Sequence, residues 1–164
     1  MSSSNQTSRP RIYVDSIDAL ESAFHDMIPI SKAMGVKVVR YNSTTLTTRA
    51  PLDQNINHQH SAFGGSLFSL AAMSGWGLLQ LKLSELLLDC NTVVVDGEAS
   101  YHTPVYDDLE CTVRLPENSD ELFAELAEMG KVRTELVATF ESGNKVAMQM
   151  KGRYHLKMRE TTDA

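Results

Sequence analysis

Residues 62–88, AFGGSLFSLAAMSGWGLLQLKLSELLL, form the one long apolar run in the chain. Its apolar side chains are not confined to a single stripe at the helical period, so the spacing predicts a helix buried nearly all round. Gly75, Gly77, Gln80, Lys82 and Glu85 interrupt the run, and its flanks alternate as soluble strands do. It is therefore read as a helix enclosed by its own protein, not as a membrane span. Upstream, Ile17, Leu20, Phe24, Met27 and Ile28 recur at helical spacing behind a candidate N-cap, Asp15, and Pro29 is expected to end that helix. Val36–Tyr41 and Thr44–Ala50 predict a hairpin turning at Asn42-Ser43, and a polar loop, Leu52–Ser61, leads into the long helix. Downstream, Thr92–His102 and Leu109–Leu115 predict strands, Leu122–Met129 a short helix ending at Gly130, and residues 132–140 and 146–156 a second hairpin across Gly143-Asn144.

Helix, hairpin, long helix and four strands, without regular strand–helix alternation, predict an α+β domain. An antiparallel sheet wrapped around one long central helix, the hot-dog fold, satisfies this order. The domain is expected over residues 13–160, behind a flexible polar tail over 1–12. With 164 residues, 42 % apolar and 22 % charged, the chain has material for one core. A net charge of −6 argues against nucleic acid as the main partner. Cys90 and Cys111 show no Cys-x-x-Cys spacing, so neither a disulfide framework nor a zinc knuckle is expected. The N-terminal tail lacks an apolar run, so a cytoplasmic protein with no membrane segment is expected. A sheet wrapped on one face leaves edges to cover, which predicts a homodimer, possibly a tetramer.

The chemistry is expected at the start of the long helix. Backbone N–H groups in a first helical turn have no intrahelical partner and stabilise an oxygen that gains negative charge. Gly64 and Gly65 let a carbonyl approach that backbone, although a glycine pair equally serves close helix–sheet packing. His58-x-His60 with Asp53 lacks a fixed third metal ligand, so no metal is expected. Asp53-x-Asn55 with His58 is similar to the Asp-x-Asn-Pro-x-His stretch of hot-dog hydratases, with Ile56 in place of proline. Cys90 and Cys111 have no visible base partner, and Asp96 is expected to be a surface or hydrogen-bonded acid. Lys131, Arg133, Lys145, Lys151, Arg153, Lys157 and Arg159 make either a solvated face or a docking strip for an acidic carrier protein.

Asn57 followed by Phe63-Gly64-Gly65 and Leu70 resembles the hot-dog thioesterase pattern, but Phe63 stands in place of its histidine and Ala72 in place of its catalytic acid. Ala50-Pro51-Leu52, Asn55-Ile56-Asn57, Phe63-Gly64-Gly65-Ser66-Leu67, Gly75-Trp76-Gly77 and Tyr101-His102-Thr103-Pro104-Val105 resemble, in order and spacing from about Ile17 to Tyr154, a small family. That family is formed by the C-terminal half of the YiiD protein (MadA) and its stand-alone relatives (MadB), and the chain resembles the stand-alone type. The resemblance implies a malonyl-acyl carrier protein decarboxylase supporting initiation of fatty acid synthesis, with Asn57 as the critical loop residue. Gly65 is expected to act with it through its N–H, and Asn55, His60, Phe63, Gly64 and Ser66 to contact substrate. No cofactor is expected, since phosphopantetheine arrives with the substrate on acyl carrier protein or coenzyme A. An acyl-CoA or acyl-carrier-protein thioesterase, a hot-dog hydratase and a non-catalytic acyl-thioester binder are the alternatives.

Overall fold

The computed structural model describes residues 12–160. The tail expected over residues 1–12 therefore lies, apart from Ile12, outside the described residues. Chain order is α1 (Ile17–Met27), α2 (Pro29–Met34), β1 (Lys37–Tyr41), β2 (Thr45–Ala50), α3 (Gly64–Glu85), β3 (Cys90–Tyr101), β4 (Leu109–Arg114), α4 (Ser119–Met129), β5 (Lys131–Ser142) and β6 (Lys145–Met158). The six strands form one antiparallel sheet in the order β1-β2-β4-β5-β6-β3. The long helix α3 packs against β2, β3, β4, β5 and β6, which is the hot-dog arrangement.

Two features at the N-terminus differ from expectation. Ser16, not Asp15, caps α1, its hydroxyl accepting from the Ala19 N–H at 3.1 Å. Pro29 does not only end α1; it opens α2, because its missing N–H costs nothing at a first helical position and its φ suits the turn. Gly35, in the left-handed conformation at φ 70°, then ends α2 and turns the chain into β1.

The core follows the sequence alternation. Leu70, Leu78 and Leu79 of α3 meet Leu136, Ala138 and Phe140 of β5 and Met148, Met150, Tyr154 and Leu156 of β6, all buried. Any side chain at Gly75 would collide with Tyr154, whose hydroxyl donates to Ala72 O at 3.0 Å, so the glycine lets helix and sheet approach there. Among the described residues, no helix is long and apolar enough to cross a membrane.

The two edges of the sheet differ. At β1, Glu21 of α1 accepts from the Val38 N–H at 3.0 Å and His25 Nε2 donates to Val36 O at 2.8 Å, so side chains occupy groups that would otherwise recruit another strand. At β3 the run Val93, Val94 and Val95 is 42 %, 46 % and 51 % exposed.

Candidate active site

The loop between β2 and α3 is a small closed structure. Leu52–Gln54 make a single 3-10 turn, Ile56 bridges Ala62, the Asn57 N–H donates to Ser61 O at 2.8 Å, and the Ala62 N–H donates to Val105 O at 2.7 Å. His60 takes the left-handed conformation at φ 61° to close the turn, and the loop returns to Phe63, the N-cap of α3. Asn55 and Asn57, two residues apart, are used differently. The Asn55 amide is buried beneath the loop and donates to Met34 O and Pro51 O, each at 2.8 Å. Asn57 is half-buried: its Oδ1 accepts from the N–H groups of Gln59 and Ser61 at 2.9 and 3.2 Å. Its Nδ2 donates to Ser61 Oγ at 3.0 Å and reaches Ala62 O only at 3.5 Å. One amide hydrogen of Asn57 is thus weakly engaged and available to a ligand.

Phe63 supplies no side-chain cap to α3. The N–H groups of Ser66 and Leu67 turn back to Phe63 O at 3.0 and 3.1 Å, so those of Gly64 and Gly65 are left without a protein acceptor. Above them the end of β3 folds over the helix start. The Tyr101 hydroxyl donates to Gly64 O at 2.8 Å, and a Cβ at Gly64 would lie 3.3 Å from the Tyr101 ring. At Gly65 an added Cβ would lie 2.8 Å from Cζ of Phe63, whose ring covers it while remaining exposed. At Gly64 the Tyr101 ring leaves little room for a side chain, whereas at Gly65 the exposed Phe63 ring is free to give way.

A cleft of about 310 Å³ opens at this point, lined by Asn57, Ser61, Ala62, Gly64, Leu67 and residues 101–105. Its floor is the buried set Ser61, Ala62, Leu67 and Val105. Of the residues expected at the site, the cleft brings together Asn57 and Gly64. Gly65 is adjacent but outside its lining, and Asn55, His60, Phe63 and Ser66 also do not line it. The wall from Tyr101 to Val105 carries no site assignment from the sequence, although Tyr101-His102-Thr103-Pro104-Val105 was part of the family pattern. A larger hollow of about 380 Å³ lies on the outer face of the sheet among Glu110, Thr112, Arg114, Val137, Thr139 and Glu141, away from the loop.

The ionisable groups narrow the chemistry further. Among the described residues, no Asp or Glu lines the cleft, whose titratable side chains are Tyr101 and His102. A tyrosine phenol is protonated, and so a hydrogen-bond donor, at neutral pH, and burial pushes that of Tyr101 further above its ordinary value. Burial likewise pushes the Cys90 thiol up to about 11 and the Cys111 thiol up to about 12, so neither is a thiolate nucleophile near neutrality. Asp96 is exposed and ion-paired with Arg153. Among the described residues, no group of three His, Cys, Asp or Glu side chains gathers to hold a metal, and His58 and His60 are exposed.

Residues 17–158 match the family described as "Putative thioesterase (yiiD_Cterm)". Among solved structures, a protein of unknown function from Chlorobaculum tepidum is 32 % identical, with 88 % of this chain and 98 % of that chain covered at a TM-score of 0.81. A protein from Shewanella oneidensis described as a "putative thioesterase" is 28 % identical, covering 87 % of this chain and 97 % of that one at a TM-score of 0.79. A Pseudomonas aeruginosa protein described as "Probable Thioesterase", 20 % identical over 92 % of this chain and 100 % of that one at a TM-score of 0.77, shares the fold.

Proposed function

Because the chain belongs to the yiiD C-terminal thioesterase-like family, we propose that it works on acyl thioesters, and specifically that it converts malonyl-acyl carrier protein into acetyl-acyl carrier protein and CO2 as a MadB-like decarboxylase. The observation that carries this reading is a cleft lined by Gly64 and Asn57, at a helix start where the N–H groups of Gly64 and the adjacent Gly65 have no intrahelical acceptor, and with no carboxylate in its lining among the described residues.

Loss of CO2 needs no general base. The bond between the malonyl methylene and its carboxylate breaks, its electron pair moves into the thioester, and an enolate oxygen forms that takes up the developing charge. The N–H donors of Gly64 and Gly65 hold that oxygen, a class of interaction that typically contributes about 3–4 kcal/mol per donor. The weakly engaged amide hydrogen of Asn57 orients the malonyl group. A proton from water then completes the acetyl methyl. Leu67 and Val105 give the cleft an apolar floor, and a carboxylate desolvated there is more stable once it has left as neutral CO2. Loss of CO2 asks for no acidic residue on α3, and Ala72 stands where the thioesterase pattern has one.

Thioester hydrolysis is the second reading, favoured by His102 in the cleft wall, a group able to take a proton from an attacking water. The two reactions leave different groups on the carrier, acetyl in one case and a free thiol in the other, and mass analysis of the carrier distinguishes them. The substrate reaches the cleft on acyl carrier protein or coenzyme A, with the phosphopantetheine arm supplied by the substrate.

Assembly belongs to the same reading. A strand with bare valines at one edge and a guarded strand at the other suits one closed pair of chains joined through β3. Light scattering at micromolar concentration is expected to give twice the chain mass, and a monomer mass would overturn this assembly.

A further inference from the structure

Gly64 C=O and Gly65 N–H are the two ends of one peptide group. At the start of α3 that group lies between two glycines, the residues with the widest backbone freedom, in a first turn whose N-cap offers no side-chain bond, and its carbonyl is held from within by the helix alone. The structure adds a second bond from another element: the Tyr101 hydroxyl donates to Gly64 O at 2.8 Å, and its ring lies against Gly64. Tyr101 is itself well anchored. It pairs in register with Met148 of β6, and the next two N–H groups, of His102 and Thr103, both donate to Ala147 O at 2.8 and 3.2 Å.

We propose that Tyr101 is a positioning residue for the oxyanion donor, its hydroxyl holding the Gly64–Gly65 peptide so that the Gly65 N–H points out of the helix start at the substrate carbonyl. A bond accepted at the carbonyl end also polarises the amide, and a polarised amide is a stronger donor at its N–H end. The ring alone would not do this, because a flat apolar contact permits the peptide plane to rock. The inference rests on the reading that the Gly65 N–H serves the thioester oxygen, but it applies to an enolate and to a tetrahedral oxyanion alike.

The test uses Tyr101→Phe, which keeps the ring and removes the bond. With selective 15N-glycine labelling, the chain's 9 glycines give a short and assignable spectrum. Tyr101→Phe is expected to move the Gly65 amide proton upfield, as a less polarised amide does. On whichever thioester reaction the wild type performs, it is expected to lower kcat about tenfold with KM within about twofold, the signature of an interaction made only in the transition state. Gly64→Ala, whose methyl would press on the Tyr101 ring, is expected to shift the same resonance and lower kcat while the tyrosine is still present. An unmoved Gly65 resonance in Tyr101→Phe, or a wild-type kcat, overturns the inference. A wild type that frees carrier thiol from malonyl-carrier protein overturns only the decarboxylase reading, since the resonance and the kcat ratio still report on Tyr101.

Discussion

Malonyl-carrier protein incubated with the enzyme is expected to become acetyl-carrier protein, lighter by one CO2, with the thioester intact and no carrier thiol exposed. The reasoning is one of inventory. Hydrolysis needs a group that takes a proton from water next to the thioester, whereas decarboxylation draws its electrons from the substrate's own carboxylate. The N-cap of α3 carries a ring at Phe63, position 72 further along the helix carries a methyl, and among the described residues the cleft is lined by no Asp or Glu. What remains is suited to holding an oxygen anion: the N–H groups of Gly64 and Gly65 and the Asn57 amide. Mass spectrometry of the intact carrier over a time course reads the result. Free thiol accumulating without an acetyl form would replace decarboxylation by hydrolysis, with His102 as the residue then to examine as base.

Substitution of Asn57 is expected to remove turnover by a factor of about 100 or more, but the choice of replacement matters. Were Asn57 a loop residue that only contacts substrate, Asn57→Ala would leave stability almost untouched. The structure changes this, because Oδ1 of Asn57 accepts from Gln59 and Ser61 and shapes the turn that contains the left-handed His60. Losing those bonds is expected to cost about 1–2 kcal/mol. Asn57→Asp separates the two roles, since a carboxylate keeps the acceptor oxygen and loses the amide donor, while adding a charge that repels malonate. It is expected to fold with a melting temperature close to wild type and to be inactive, and His58→Ala, an exposed side chain outside the cleft, to stay active. An Asn57→Asp variant that turns over normally would take the donor role away from Asn57.

The long helix was legible because a stretch apolar on every side can satisfy itself only when enclosed, and α3 runs over Gly64–Glu85 within the 62–88 stretch. The strands were legible because alternation is dictated by the pleat: Val132 to Phe140 point inward at every second residue, as do Met148 to Leu156. The site was legible only in part. Asn55 and Asn57 are chemically identical and nearly adjacent, and nothing local tells which one is pinned beneath the loop; that depends on Met34 and Pro51 arriving below Asn55. The wall of the cleft comes from the end of β3, where Tyr101 reaches Gly64 across a large sequence separation. A tyrosine at a strand end carries no mark of what it will bond.

If chains pair through β3 as proposed, the guarded edge of the sheet is expected to make their association sensitive to acid. Burial raises the Glu21 carboxyl, but bonds from the Val38 N–H and from Lys37 outweigh it, so the group titrates below the ordinary carboxylate range. A folded value depressed in this way stabilises the fold above the unfolded value, and that contribution is lost as the pH falls through the lower one. Once Glu21 is protonated, the Val38 N–H keeps only a neutral acceptor and the guard on β1 weakens, opposite the bare β3. A unit with one sticky end closes into a pair and stops; a unit with two can add neighbours without limit. Acidification should therefore turn a finite particle into open-ended fibres, and Glu21→Ala should do the same at neutral pH, seen as a rise in scattered light and thioflavin binding. A Glu21→Ala protein that keeps a constant, finite mass at neutral pH would show that α1 shields β1 by bulk alone.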